Sequence, residues 1–163
     1  KMKGISYENI TKLDKKDRKI LKALYENARM NIATLAKKTK LRRDTIARRI
    51  KQMEKNGVIS GFIPVINPPA LGLPNIAIIL LKTKTESKEK KTFQNKVVGN
   101  KYITHVATLI GKFDFYCAIV YQDTGHLNTI IEDVKQYIPE FIIDFEIFQV
   151  AEEPKFERME GFL

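Results

Sequence analysis

NIATLAKKTKLRRDTIARRIKQMEKNG, residues 31–57, is the stretch on which the fold turns. Ile32, Leu35 and Ala36 recur at i, i+3 and i+4, and Ile46, Ile50 and Met53 at i, i+4 and i+7, each set forming one stripe on a helix. The spacing predicts a short helix from Asn31 to about Thr39 and a longer one from about Arg42 to Asn56. A turn spans Thr39–Leu41, and Gly57 is the C-terminal stop. Ala36 is small where the two helices would cross, and Ile46 lies where the second would anchor in a core, which is the spacing of a helix-turn-helix. Upstream, Leu13-Asp14-Lys15-Lys16-Asp17 reads as a helix start, with Asp14 as cap and Asp17 where a capping-box acid reaches back. Ile20, Leu21, Leu24, Tyr25 and Ala28 then share one face of a helix from about 15 to 27. The three helices make a compact trihelical head.

Charge is unevenly divided. Residues 1–61 hold 18 Lys and Arg against 6 acids, and residues 62–163 hold 11 against 13, so the +10 of the whole chain is a head of +12 followed by a remainder of −2. Such an asymmetry is the footprint of a polyanion-binding module joined to a neutral one. An anionic membrane is the competing polyanion, but an interfacial helix needs a broad apolar face with Trp or Phe, and residues 15–56 contain neither. No apolar run approaches the length of a membrane span, and the start, Lys1-Met2-Lys3-Gly4, has no secretory pattern, so a cytoplasmic globular protein is expected, with Met2 as the natural start. The single cysteine, Cys117, sits in an apolar run and reads as a small core residue.

Beyond Gly57 the pattern turns from helical to extended. Val58–Ile66 is β-branched and broken by proline and glycine, a candidate linker strand, and Pro68, Pro69, Gly72 and Pro74 mark a boundary. The expected organisation is a head over 1–57, a linker over 58–74 and a second domain over 75–163. Within the latter, strands are predicted at 76–81, 102–110, 113–121 and 141–150, and helices at 86–98 and around Leu127, Ile130, Ile131 and Val134. The order β-α-β-β-α-β makes the fold class α+β, a ferredoxin-like sandwich behind the helix-turn-helix head. Both helices would cover one sheet face. Ile78, Ile79, Leu80 and Leu81 are apolar on both faces, so the bare side predicts self-association.

Turning the second helix of the pair by 100° per residue with Ile46 inward sends Asp44, Ala47, Arg48 and Lys51 outward, while Arg42 and Arg43 open its first turn beside Thr45. Arg43 and Arg48 have forked guanidinium groups that pair with guanine or clamp phosphate, and Ala47 can meet a thymine methyl. Asp44 either accepts from cytosine or pairs with Arg48 at i+4. Arg49, at the edge of the inward face, either braces the fold or touches phosphate. A charge run is ordinarily a solvated helix face; its place on the second helix of such a pair, within a +12 segment, favours double-stranded DNA.

Leu13-Asp14, Asp17, Ile20-Leu21, Ala28-Arg29, Leu35-Ala36, Thr45-Ile46, Arg49-Ile50, Glu54, Gly57-Val58-Ile59, Gly61-Phe62 and Gly111-Lys112-Phe113-Asp114-Phe115-Tyr116 together resemble the Lrp/AsnC, or feast/famine, family of transcription regulators, over nearly the whole chain. The abundance of Lys and Ile fits an AT-rich, thermophilic prokaryote, and an archaeal member of the family is expected. The resemblance implies a winged helix-turn-helix, dimers formed through the linker strand and sheet, and further assembly to tetramers or octamers. It also implies an amino-acid effector held between subunits at a turn carried here by Gly111, Phe113 and Asp114; Thr124 and Gly125 are placed beside it only by their position just after the third strand. Gly111 and Asp114 equally suit a plain turn and its cap. Two departures stand out, since Lys40 and Arg42 replace the family's usual glycine and serine, which removes the φ > 0 specialist and the hydroxyl cap; the two added cations are expected to strengthen phosphate binding and to alter the site preference.

Catalysis is not expected. His105, His126 and Cys117 form neither a metal spacing nor a triad, no glycine-rich phosphate loop occurs, and no cofactor or metal is implied. An RNA-binding βαββαβ module is the nearest rival, but the RNA-recognition aromatic pattern is missing and the domain is slightly acidic. A metabolite-sensing module acting on another protein is the remaining alternative.

Overall fold

The computed structural model describes residues 11–84, 87–155 and 159–163. These divide into two compact units, one running to Pro64 and taking back the C-terminal segment from Lys155, the other spanning Val65–Pro154.

The first unit contains α1 (Lys15–Glu26), α2 (Ile32–Thr39) and α3 (Arg43–Lys55). The Asp14 carboxylate accepts from the backbone N–H groups of Lys16 and Asp17, and the Asp17 carboxylate accepts from that of Asp14 at 3.2 Å, which completes the capping box. Asn31 is the cap of α2 rather than its first residue, accepting from Thr34 N–H. Ile20, Ala23, Leu24, Leu35, Ile46 and Met53 form the core. Of the expected α1 stripe, Leu21 packs against this core partly buried, and Tyr25 and Ala28 are outside it. The helix ends at Glu26 with Asn27 as cap, which leaves Ala28 beyond the last turn, and Tyr25 lies on the solvent edge while Ala23 takes the central place. After α3, Val58 N–H donates to Met53 C=O and Gly57 N–H to Glu54 C=O, with Gly57 at φ +72°, so the helix closes in a Schellman turn. The segment Met159–Leu163, expected in the second domain, lies with this head: Arg18 Nη1 donates to Phe162 C=O and Met159 N–H to Tyr25 Oη.

Residues 58–67 form no strand within the described chain; Phe62, Ile63, Val65 and Ile66 are exposed there. Among the described residues this strand-like sequence pairs with none of the four strands of the sheet. One 3-10 turn follows at Pro68–Leu71.

The second unit contains β1 (Asn75–Thr83), α4 (Ser87–Gly99), β2 (Ile103–Thr108), β3 (Phe115–Tyr121), α5 (Thr124–Gln136) and β4 (Ile142–Gln149). The strands lie in the order β2-β3-β1-β4, all antiparallel, as the ferredoxin-like arrangement requires. Glu86, the expected start of α4, lies outside the described residues. Ala77, Ile79 and Leu81 of β1 meet Phe115, Cys117 and Ile119 of β3 beneath Phe93 and Val97 of α4 and Leu127, Ile130, Ile131 and Val134 of α5. Phe93 packs against Phe115 and Phe141 at ring-centroid separations of 5.5 and 5.4 Å. β2 and β3 are shorter than their apolar runs because Leu109–Asp114 forms a loop, closed by Leu109 N–H donating to Asp114 C=O.

Candidate nucleic-acid interface

The polarity of α3 is set by Ile46 and Met53, buried at one side, and by the half-buried Ile50 between them. Arg43, Asp44, Ala47, Arg48 and Lys51 are exposed on the other side, Thr45 is half-buried at the flank, and Arg42 is exposed at the N-cap. Among the described residues, no ion pair or side-chain hydrogen bond engages Arg42, Arg43, Asp44, Arg48 or Lys51, so the alternative Asp44–Arg48 pair is not formed.

Arg49 is different. Its Nη1 lies 2.8 Å from Asp14 Oδ2 and 2.7 Å from Asp17 Oδ1, so the two acids that cap α1 also hold α3. The Asp17 hydrogen bond, reinforced by Asp14, outweighs partial burial and raises the guanidinium pKa further above its usual value. Of the two roles open from sequence, Arg49 takes the brace. Its Nε is buried without a hydrogen-bond partner among the described atoms. The sequence reading could not foresee that Asp17 serves both the cap and the brace, because Arg49 is 32 residues away in the chain.

The turn before α3 is made by Lys40 in the left-handed conformation, φ 60° and ψ 30°. Lys40 is exposed, with no side-chain partner among the described residues. The sequence reading expects this cation, with Arg42, to strengthen phosphate binding at the turn.

The four residues expected at an effector site are not brought together within this chain. Gly111 makes the loop at φ +150° with open space around it. Phe113 is buried, with Lys112 Nζ 4.6 Å from its ring centroid. Thr124 is exposed at the start of α5, separated from Asp114 by the length of β3, roughly 20 Å for seven residues. Asp114 is engaged within the subunit: its carboxylate accepts from Thr83 N–H at 2.9 Å and Lys90 Nζ at 2.8 Å, with Lys82 Nζ at 3.8 Å. Burial pushes its pKa up, but the Lys90 and Thr83 hydrogen bonds and the two cations win and hold it at about 2. Two hollows of about 210 Å³ occur elsewhere, one beside Arg48, Arg49 and Gln52, the other beside Lys135, Glu140 and Ile143; neither includes these four residues.

The histidines have packing roles. His126 Nδ1 accepts from Gln122 N–H and its ring meets Tyr102 edge-on, while His105 packs against Tyr116. No three metal-ligating side chains converge among the described residues.

A basic trihelical head with an outward cationic face on its third helix, in one chain with a ferredoxin-like sandwich, defines a helix-turn-helix regulator. Residues 13–60 match the family model for winged helix-turn-helix DNA-binding domains. The HTH-type transcriptional regulator FL11 of Pyrococcus furiosus is 32% identical over 122 residues, covering 75% of this chain and 80% of that one. The solved AsnC family transcriptional regulator of Agrobacterium tumefaciens has a TM-score of 0.82 at 25% identity, over 93% of this chain and 99% of that one. A transcriptional regulator from Neisseria meningitidis, solved as its complex with L-Met, has the same fold, with a TM-score of 0.80 at 22% identity over 93% of this chain and 100% of that one. The chain belongs to the Lrp/AsnC family of transcriptional regulators.

Proposed function

We propose that the protein binds duplex DNA through the outward face of α3, with Arg43 and Arg48 reaching base edges or phosphate and Arg42 and Lys51 on the backbone, while Thr45 and Ala47 flank the contact. It works as a dimer or larger assembly in the cytoplasm, without catalysis of its own. The supporting observation is selective: Arg49 is spent on Asp14 and Asp17, while Arg43, Arg48 and Lys51 stay exposed with no partner among the described residues. An amino acid modulates this binding. The methionine complex of the Neisseria relative supports that class of ligand. The site is the Gly111–Asp114 loop completed by a second subunit, because one subunit leaves Thr124 at the far end of β3.

The test is a gel-shift with duplex, single-stranded DNA and RNA. Arg43→Ala and Arg48→Ala should each weaken duplex retention by about 1–3 kcal/mol while leaving the assembly size unchanged. Duplex binding should fall steeply between about 50 and 200 mM salt as counterions are released. Wild-type affinity in both variants, or a preference for RNA, would remove the assignment. Footprinting with and without amino acids then shows whether an effector acts.

A further inference from the structure

The turn that joins α2 to α3 carries two residues that local backbone physics disfavours. Lys40 is held at φ 60°, ψ 30°, where a β-carbon crowds the backbone and glycine does not. Arg42 occupies the N-cap of α3 at φ −68°, ψ 144°, with no side-chain cap hydrogen bond. That position asks for an acceptor such as Ser, Thr, Asp or Asn, and a guanidinium has only donors. Its charge also stands at the positive end of the helix dipole, where a cation is unfavourable. Neither residue is repaid within the chain, as both are exposed and neither has a side-chain partner among the described residues. The dipole at the end of α2 does not account for Lys40, because Lys37 and Lys38 already fill its last turn. Places in a native fold where local rules fail are expected to be functional or strained ones.

We propose that Lys40 and Arg42 are a pair of DNA-phosphate contacts kept at the expense of fold stability, extending the interface from α3 back across the turn. This rests on α3 being the duplex-binding helix, and it adds a residue, Lys40, and a cause for both departures at the turn. Phosphate contacts carry no base information, so a mixed-sequence duplex is a sufficient probe.

The experiment compares the full chain with Lys40→Gly, Arg42→Ser, the double variant and the charge-keeping Lys40→Arg. Thermal midpoints are read without DNA, and duplex affinity is read across a salt series. Lys40→Gly and Arg42→Ser should each raise the midpoint by a few degrees, since each removes a local misfit. The double variant should bind about tenfold more weakly, with a log–log salt slope shallower by about 1 per residue replaced. Lys40→Arg should keep the affinity and gain no stability. Unchanged affinity and slope in the double variant, with Arg43→Ala still weakened, would overturn the pair while leaving α3 in place. A lower midpoint would overturn the trade of stability for affinity. If the wild type itself fails to retain duplex at low salt, the reading of α3 falls and the pair falls with it.

Discussion

Asp114 shows what a residue's neighbours can change. In sequence it stands between Phe113 and Phe115 in a turn motif and suits equally a ligand's ammonium or the turn itself. Its actual partners, Lys90 and Thr83, are 24 and 31 residues away, so spacing could not choose between those roles. In the fold the carboxylate ties the start of β3 to the end of β1 and to α4. An ammonium ligand must therefore compete with Lys90 for it. The clasp has a pH signature. With the pKa lowered from 3.8 to about 2, Asp114 contributes stability that is fully present above about pH 4 and is lost as the pH falls towards 2. The side chain is partly exposed, so solvent screening brings the contribution to on the order of 1 kcal/mol. Asp114→Asn should lower the urea midpoint at pH 5, and the two curves should converge near pH 2. Parallel curves over that range would show that the charge of Asp114 is not what the fold uses.

At the scale of elements, helices were more legible than strands, for a physical reason. A helix closes its own hydrogen bonds, so its stripe, cap and stop lie within a dozen residues, as in Asp14–Asp17 and Gly57. A strand depends on a partner, and Val58–Ile66 has the composition of a strand with no pairing among the described residues. What joins helices to one another was legible only in part. Periodicity put Arg49 at the edge of the inward face but did not reveal that two acids of α1 would meet it. Arg49→Met keeps much of the side chain's packing and removes the brace, leaving Asp17, only 16% exposed, without its cation. The expected loss is about 1–2 kcal/mol in denaturant unfolding, because a partly buried carboxylate loses charge-assisted hydrogen bonds. Asp14 retains its capping role, so α1 should persist by circular dichroism. An unchanged unfolding midpoint would make Arg49 available to DNA after all.

For the whole molecule, the question is what covers the sheet face opposite the helices. An antiparallel sheet with one solvated face normally alternates apolar and polar residues. Here Ile76, Ile78 and Leu80 of the central strand β1 all point to the face that α4 and α5 leave bare, since their neighbours Ala77, Ile79 and Leu81 fill the core. Their cross-strand partners extend the patch: Ile78 lies between Ala118 and Phe148, and Leu80 beside Tyr116. Phe148 is about half exposed, as are Phe62 and Ile66 in the unpaired linker. A second copy offering the same face would bury both patches at once, the self-complementary contact that a two-fold dimer makes. Helix-turn-helix dimers bind two half-sites on a duplex, so assembly and DNA affinity should fall together. Leu80→Asp places a charge at the centre of that face without touching the core beneath α4 and α5. Light scattering should then give a monomer where the wild type gives a dimer or larger, with secondary structure retained and duplex affinity reduced through the loss of the second half-site. A wild-type mass in Leu80→Asp would mean that the sheet faces water, and the apolar run of β1 would need another explanation.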